Sequence, residues 1–254
     1  MKVISVVNQK GGVGKTNLTT NLAAYLSSLG KKILLIDFDP QANATSGLGV
    51  EKSKKGIYEI LNKETLLDEG IIEVKKNLFL IPANQDLVGA TVEWVALAER
   101  ETILKKTLSS LPPNFDFVFI DTPPSLGLLT VNSLTMADYL VIPVQAEYYA
   151  LEGLSSLLNT VSLIKENLHP GLDILGAVIT MYDKRSRLSE EVWEELYRHF
   201  PGKIFRTIIP RNVKLAEAPS FGKSVLDYAP FSPGARAYKR LAKEFITEIS
   251  RISH

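Results

Sequence analysis

The 254-residue sequence predicts a single doubly wound α/β unit, a mostly parallel sheet with helices on both faces. Three observations predict it. Short continuous apolar runs of strand length recur along the chain, the pattern of parallel strands buried on both sides. Segments with apolar residues at helical spacing separate those runs. The first run passes through a glycine-rich turn into a helix, and two later runs end in aspartate, so the chemistry gathers where strands finish.

Lys2-Val-Ile-Ser-Val-Val7 is the first strand. Gln9-Lys-Gly-Gly-Val-Gly-Lys-Thr16 is the turn, and Asn17 to Leu29 the helix that follows, stopped by Gly30. In such a turn backbone N–H groups converge and the helix start adds partial positive charge, which makes a phosphate site. Lys15 reaches β- and γ-phosphates, and the Thr16 hydroxyl is a Mg²⁺ ligand. The loop departs from the pattern G-x-x-x-x-G-K-[ST]. Gln9 stands where the first glycine belongs, and a second lysine, Lys10, precedes Lys15. A solvated loop lysine is the plainer account of Lys10, but beside a phosphate cradle its charge has a use.

Ile33-Leu-Leu-Ile36 is the second strand and runs into Asp37-Phe-Asp-Pro-Gln41. Ligands of open α/β sheets lie beyond strand carboxyl ends, which sets Asp39 near the phosphate loop. There it orients an attacking water or enters the Mg²⁺ shell; an Asp-Pro turn starter is the alternative. Ala42 to Val50, rich in small residues, reads as a mobile loop. Ile57 to Leu61 reads as a short helix and Asn77 to Pro82 as a strand. Leu87 to Leu111 reads as helix with one interruption, and Trp94 as a packing residue within it.

Phe115-Asp-Phe-Val-Phe-Ile-Asp121 is a strand closed by an aspartate placed to reach Mg²⁺ through water. A buried unpaired carboxylate is costly, so a cation partner is expected. Thr122-Pro-Pro-Ser-Leu-Gly127 is rigid and turn-forming. Then follow a strand at Tyr139 to Val144, a helix from Tyr148 to His169, a strand at Ile174 to Thr180, a helix at Leu188 to His199 and a strand at Ile204 to Ile209. The final helix, Ala235 to Ile252, has Tyr238, Leu241, Ala242, Phe245 and Ile249 on one face. Glu244 and Glu248 dilute its basic side, so this face reads as packing on the sheet rather than lying on a membrane.

Composition narrows the function classes. There are no cysteines, which excludes disulfides, thiolate metal sites and cysteine-held iron–sulfur clusters. His169, His199 and His254 lack metal spacing. No apolar run approaches the roughly 20 residues of a membrane span, and no signal peptide is expected. Net charge is +1, yet from Phe200 onward there are 10 Lys/Arg against 4 Asp/Glu, an asymmetry that suits an anionic partner.

Lys10-Gly-Gly-Val-Gly-Lys-Thr16 resembles the deviant Walker A loop of the ParA/MinD class of ATPases. Asp37-Phe-Asp-Pro-Gln41, Asp121-Thr-Pro-Pro-Ser125, Gln145 to Gly153 and Pro210-Arg-Asn212 resemble segments of the same class, so the resemblance covers nearly the whole chain. It implies a P-loop NTPase fold over residues 1–254, with ATP and Mg²⁺ as cofactors. It implies nucleotide contacts from Lys10, Gly11, Gly12, Val13, Gly14, Lys15, Thr16 and Asn17, with Met181, Pro210 and Asn212 at the adenine. Thr16, Asp39 and Asp121 are the implied metal residues; Lys10, Lys15 and Asp39 are those of hydrolysis. Lys10 is implied to cross an ATP-dependent sandwich homodimer to the partner's phosphates. Arg185 and Lys214 match positions that bind DNA non-specifically; Lys214 replaces an arginine and loses its bidentate geometry. Asn17 stands where the class usually has threonine, which puts an α-phosphate contact in doubt.

The activity implied is that of a ParA/Soj-type partition ATPase, cytoplasmic and nucleoid-associated, stimulated by a ParB-type centromere-binding partner and with no membrane partner expected. No operator-reading domain is expected before the first strand. The rivals are a MinD-like membrane-associated ATPase and a metabolic enzyme of the dethiobiotin-synthetase kind. A nitrogenase-iron-protein-like reductase shares the loop but needs cysteines.

Overall fold

The computed structural model describes residues 1–51, 55–147, 150–200 and 202–252. One sheet is built from β1 (Lys2–Val6), β2 (Ile33–Asp37), β3 (Ile72–Lys75), β4 (Leu78–Ile81), β5 (Phe117–Asp121), β6 (Tyr139–Gln145) and β7 (Asp173–Thr180). Its order is β3-β4-β2-β5-β1-β6-β7, and only the β3–β4 pair is antiparallel. The helices in chain order are α1 (Lys15–Ser28), α2 (Asn43–Gly47), α3 (Ile57–Leu61), α4 (Leu67–Gly70), α5 (Leu87–Glu93) and α6 (Ile103–Thr107). They continue with α7 (Leu128–Met136), α8 (Ala150–Asn167), α9 (Arg187–His199), α10 (Val213–Glu217), α11 (Val225–Tyr228) and α12 (Pro233–Ile252).

The continuous apolar strands feed two cores at once. Ile4, Ile33, Leu35 and Phe119 turn one way, onto Leu18 and Leu22 of α1 and Tyr238, Leu241 and Phe245 of α12. Leu34, Ile36, Val118 and Ile120 turn the other way, onto Leu134 of α7, Leu157 and Val161 of α8, and Leu196 of α9. Strand periodicity makes that division automatic, since neighbouring side chains point to opposite faces. This is the doubly wound architecture the sequence predicts.

Topology then places the aspartates. Asp121 at the end of β5 is the register partner of Val6 on one side and Asp37 on the other. The glycine-rich turn leaves β1 beside both carboxylates, where the sheet's winding reverses.

Several expectations are corrected. Ala42 to Val50 contains α2, with Ala44 and Thr45 buried, because the Thr45 N–H and hydroxyl both donate to Asp37, at 2.8 and 2.7 Å. β3 is an additional antiparallel edge strand, joined to β4 through Asn77 at φ 65°. The segment 87–111 holds only two short α-helices and three 3-10 turns; the break falls at Leu97 to Glu99, where Leu97 is extended and Glu99 takes φ 55°. Trp94 is buried there. Residues 204–209 run beside β7 but form no strand. Lys203, Phe205 and Ile209 bond to β7, whereas the Arg206 and Thr207 N–H groups donate to the Glu244 carboxylate on α12, at 2.6 and 3.0 Å. Tyr148, the predicted start of the eighth helix, and His254 lie outside the described residues, and Leu168 is exposed beyond that helix's end. The final helix packs on the sheet through all five predicted apolar residues.

Candidate functional site

The turn after β1 needs backbone that favours glycine. Gly12 has φ 76° and Gly14, at the start of α1, φ 88°, so a side chain at either is strained. No side chain caps α1 and no acidic residue lies in its first turn. Its leading N–H groups therefore have neither a side-chain acceptor nor a local counter-charge, the condition in which a helix start takes an external anion.

These groups border a cavity of about 600 Å³ lined by Gly11, Gly12, Gly14, Lys15, Thr16, Asn17 and Asp39, and closed opposite by Ser46, Gly47 and Pro219. Val13 does not line it; its side chain is in the core and its carbonyl accepts the Thr180 hydroxyl at 2.8 Å. Lys15 is 7% exposed and its Nζ donates to the Lys10 carbonyl at 3.1 Å. Burial lowers its pKa, while Asp121 and Asp39 pull the other way. Asp39 is 5% exposed, with Oδ1 accepting the Gln41 N–H at 2.9 Å.

Asp121 lies fully buried behind this cavity. Its Oδ1 accepts the Thr19 hydroxyl at 2.9 Å, and its Oδ2 is buried with no hydrogen-bond partner. Burial first, then the Asp37 charge, raises its pKa above the usual aspartate value; the Thr16 and Thr19 hydroxyls oppose that rise. Asp37 is also raised, chiefly by burial, and is taken up by Thr45. Among the described residues no group of three or more His, Cys, Asp or Glu could hold a metal. A divalent cation here suits Mg²⁺, which keeps waters and shares phosphate oxygens rather than needing a protein cage.

A pH dependence follows. Both folded-state values lie above the 3.8 of an unfolded aspartate, so the native chain retains protons the unfolded chain has lost. Stability without Mg²⁺ is therefore full below that value and falls as pH rises through the raised native values. Thermal melts across that range should show the fall, and Asp121→Asn should remove most of it; a slope unchanged in the variant contradicts this assignment.

A second cavity, about 380 Å³, adjoins the first through Gly14, Asn17, Leu215 and Ala216. It is lined by Met181, Ile209, Pro210, Asn212, Val213 and Tyr238, so the three predicted base residues do come together. Met181 takes φ 53° at the end of β7. Asn212 Oδ1 is buried with no partner. The Asn17 carboxamide is bonded at both ends, donating to the Leu215 carbonyl at 2.8 Å and accepting the Tyr238 hydroxyl at 2.9 Å.

Lys10 does not enter either cavity. It borders a separate open hollow with Gln9, Pro124, Ser125 and Gly153, and its Nζ lies 3.4 Å from Glu147. Glu147 also accepts from Gln145 and faces Arg211 at 3.7 Å. Arg185 and Lys214 sit on adjoining segments, because Tyr182 and Arg211 share backbone hydrogen bonds. Each has its own carboxylate: Asp183 for Arg185 at 3.2 Å and Glu217 for Lys214 at 2.8 Å. By contrast Arg206, Lys223, Arg236, Lys239, Arg240 and Lys243 are exposed and form no ion pair among the described residues.

Sequence reasoning missed Thr19, Thr45, Glu147 and Tyr238. Thr19 had a signal, since it lies three residues from Thr16 on the same helix face. Glu147 meets Lys10, and Tyr238 meets Asn17, only through long-range folding, and Thr45 meets Asp37 across the turn that leads into α2.

Residues 1–174 match a family described as an AAA domain. The chromosome-partitioning ATPase Soj of Thermus thermophilus is 52% identical over 246 residues, covering 97% of this chain and 96% of that one. A cobyrinic acid a,c-diamide synthase from Mycobacterium smegmatis, solved with an ATP analog and magnesium, aligns with a TM-score of 0.86 at 33% identity, covering 98% of this chain and 96% of the other. A plasmid partition protein from Borrelia burgdorferi bound to AMPPNP aligns with a TM-score of 0.82 at 31% identity, over 97% and 98% of the two chains.

Proposed function

Because this chain belongs to the Soj/ParA family of partitioning ATPases, we propose that it is an ATP-driven switch whose dimer holds DNA and whose hydrolysis releases it. It is an ATPase, with ATP and Mg²⁺ as its cofactors. The observation that carries the reading is a pair of orphaned oxygens. Among the described residues, Asp121 Oδ2 and Asn212 Oδ1 are the buried side-chain atoms without partners; Asn212 lines one lobe of the joined cleft, and Asp121 lies against Thr16, which lines the other. A buried orphan acceptor is expensive, and Mg²⁺ with its waters at one end and the adenine amino group at the other would satisfy both.

In this reading the turn's N–H groups and Lys15 hold the phosphates, and Thr16 is the metal's protein ligand with Asp121 behind it. When bound there, Mg²⁺ would supply neutralisation of phosphate charge. Asp39 holds the attacking water. Met181, Pro210 and Asn212 enclose the base. Lys10, outside its own cavity, reaches the phosphates of a second copy. Dimerisation doubles the face carrying Arg236, Lys239, Arg240 and Lys243, together with Arg185 and Lys214, and so creates a non-specific DNA site. A ParB-type partner accelerates hydrolysis, and the protein works on the nucleoid in the cytoplasm.

Co-sedimentation with DNA and with liposomes, in ATP, ADP and no nucleotide, tests this. DNA should pellet the protein only with ATP, with an affinity that falls steeply with salt. DNA binding indifferent to nucleotide would sink the proposal. Retention on liposomes would favour the MinD-like rival, and binding to neither a metabolic role such as the Mycobacterium synthase's name describes.

A further inference from the structure

α10 is five residues long, a single turn that cannot hold itself in place. Asn212 precedes it at the capping position but makes no capping hydrogen bond, so its side chain is left for the cleft. What fixes this segment comes from elsewhere in the fold. The Leu215 carbonyl accepts from the Asn17 amide, and Gly234 at the start of α12 approaches so closely that a Cβ there would lie 2.7 Å from Leu215 Cγ. Asn17 is held in turn by the hydroxyl of Tyr238, whose ring also lines the base cavity. Burial drives the Tyr238 pKa far up, so the hydroxyl remains a neutral donor at any physiological pH.

We propose that Asn17 and Tyr238 are positioning residues that hold the 210–217 segment against the base cavity, and that Asn17 serves the adenine end of the cleft rather than the phosphates. This rests on reading the cleft as an ATP site. Asn17 belongs to the first turn of α1, yet its carboxamide joins α12 to α10 across the boundary between the two cavities. The relay fixes where the unpartnered Asn212 Oδ1 stands. Without it the phosphate turn is intact and the base wall is loose.

The test compares Mg²⁺·ATP with Mg²⁺·tripolyphosphate, which has the phosphates and lacks the nucleoside, by titration calorimetry on wild type, Tyr238→Phe, Asn17→Ala and the double variant. Each single variant should weaken ATP by about three- to tenfold, the range of one lost hydrogen bond, and leave tripolyphosphate within about twofold. The double variant should bind ATP no more weakly than Asn17→Ala alone, because the two residues act in one chain. A proportional loss of both ligands, no loss of either, or additive losses would each overturn the proposal. If Asn17→Ala does not fold, Tyr238→Phe, which removes one oxygen, decides the matter alone. A wild-type protein that prefers tripolyphosphate to ATP would refute the nucleotide reading instead, which separates the two failures.

Discussion

Asp39→Ala should bind ATP and all but stop hydrolysing it, with turnover reduced about 100-fold or more while affinity is kept or improved. Asp39 is anchored at both ends of its reach. Pro40 follows it, the Asp39 N–H donates to Asp37 Oδ1 at 3.3 Å, and Asp39 Oδ1 accepts the Gln41 N–H. One carboxylate oxygen is thus occupied by the backbone, and the carboxylate borders the cavity shared with Lys15 and Thr16. Among the described residues nothing else lining that cavity is a carboxylate, so on the proposed assignment no neighbour would take over the water. The substitution also removes a negative charge that raises the pKa of both Asp37 and Asp121. The variant should therefore melt no lower than wild type. Phosphate release and thermal melts, measured together, check the assignment; wild-type turnover in a folded variant would refute it.

Lys10→Ala should leave a well-folded monomer that binds ATP yet neither dimerises nor turns over. Its ion pair with Glu147 is 3.4 Å long and partly exposed on both sides, a kind of contact worth about 0–1 kcal/mol. Losing it should hardly move the melting temperature, and leaving it should cost wild-type Lys10 little when a stronger anion appears. A cation supplied in trans to a transferring phosphoryl group is worth on the order of 10³ or more in rate, so the loss in turnover should be that large. Light scattering with ATP, in an Asp39→Ala background to prevent hydrolysis, gives the readout. A dimer of Lys10→Ala as stable as that of Lys10 would show that this lysine has no role between subunits.

How much was legible follows from where each feature gets its stability. The strands were readable because burial on two sides demands unbroken apolar runs, and the aspartates at 37 and 121 marked their ends. The turn was readable because glycine at positive φ and a lysine beside a helix start have few other uses. Residues 87–111 were harder. Their helices are short and depend on tertiary contacts such as the Leu104 N–H donating to Asn132, 28 residues away. β3 was missed because Ile72-Glu-Val-Lys75 is a four-residue edge without a buried face. Pro210-Arg-Asn212 was singled out by resemblance alone, since nothing local in it announces an orphaned acceptor. Glu244, read as a surface charge, instead takes two backbone donors of residues 206 and 207.

That last contact bears on which surfaces of the protein can stick together. A strand at the border of a sheet offers a row of open N–H and C=O groups to any passing chain. Here the β7 border is shielded by 203–211, and Glu244 bends the middle of the shield away, so it presents no continuous ladder of its own. The opposite border, β3, is short and carries Glu73 and Lys75. The proposed cycle of association and release has no place for unions that hydrolysis cannot undo. Blunting both borders leaves sheet-to-sheet growth no foothold.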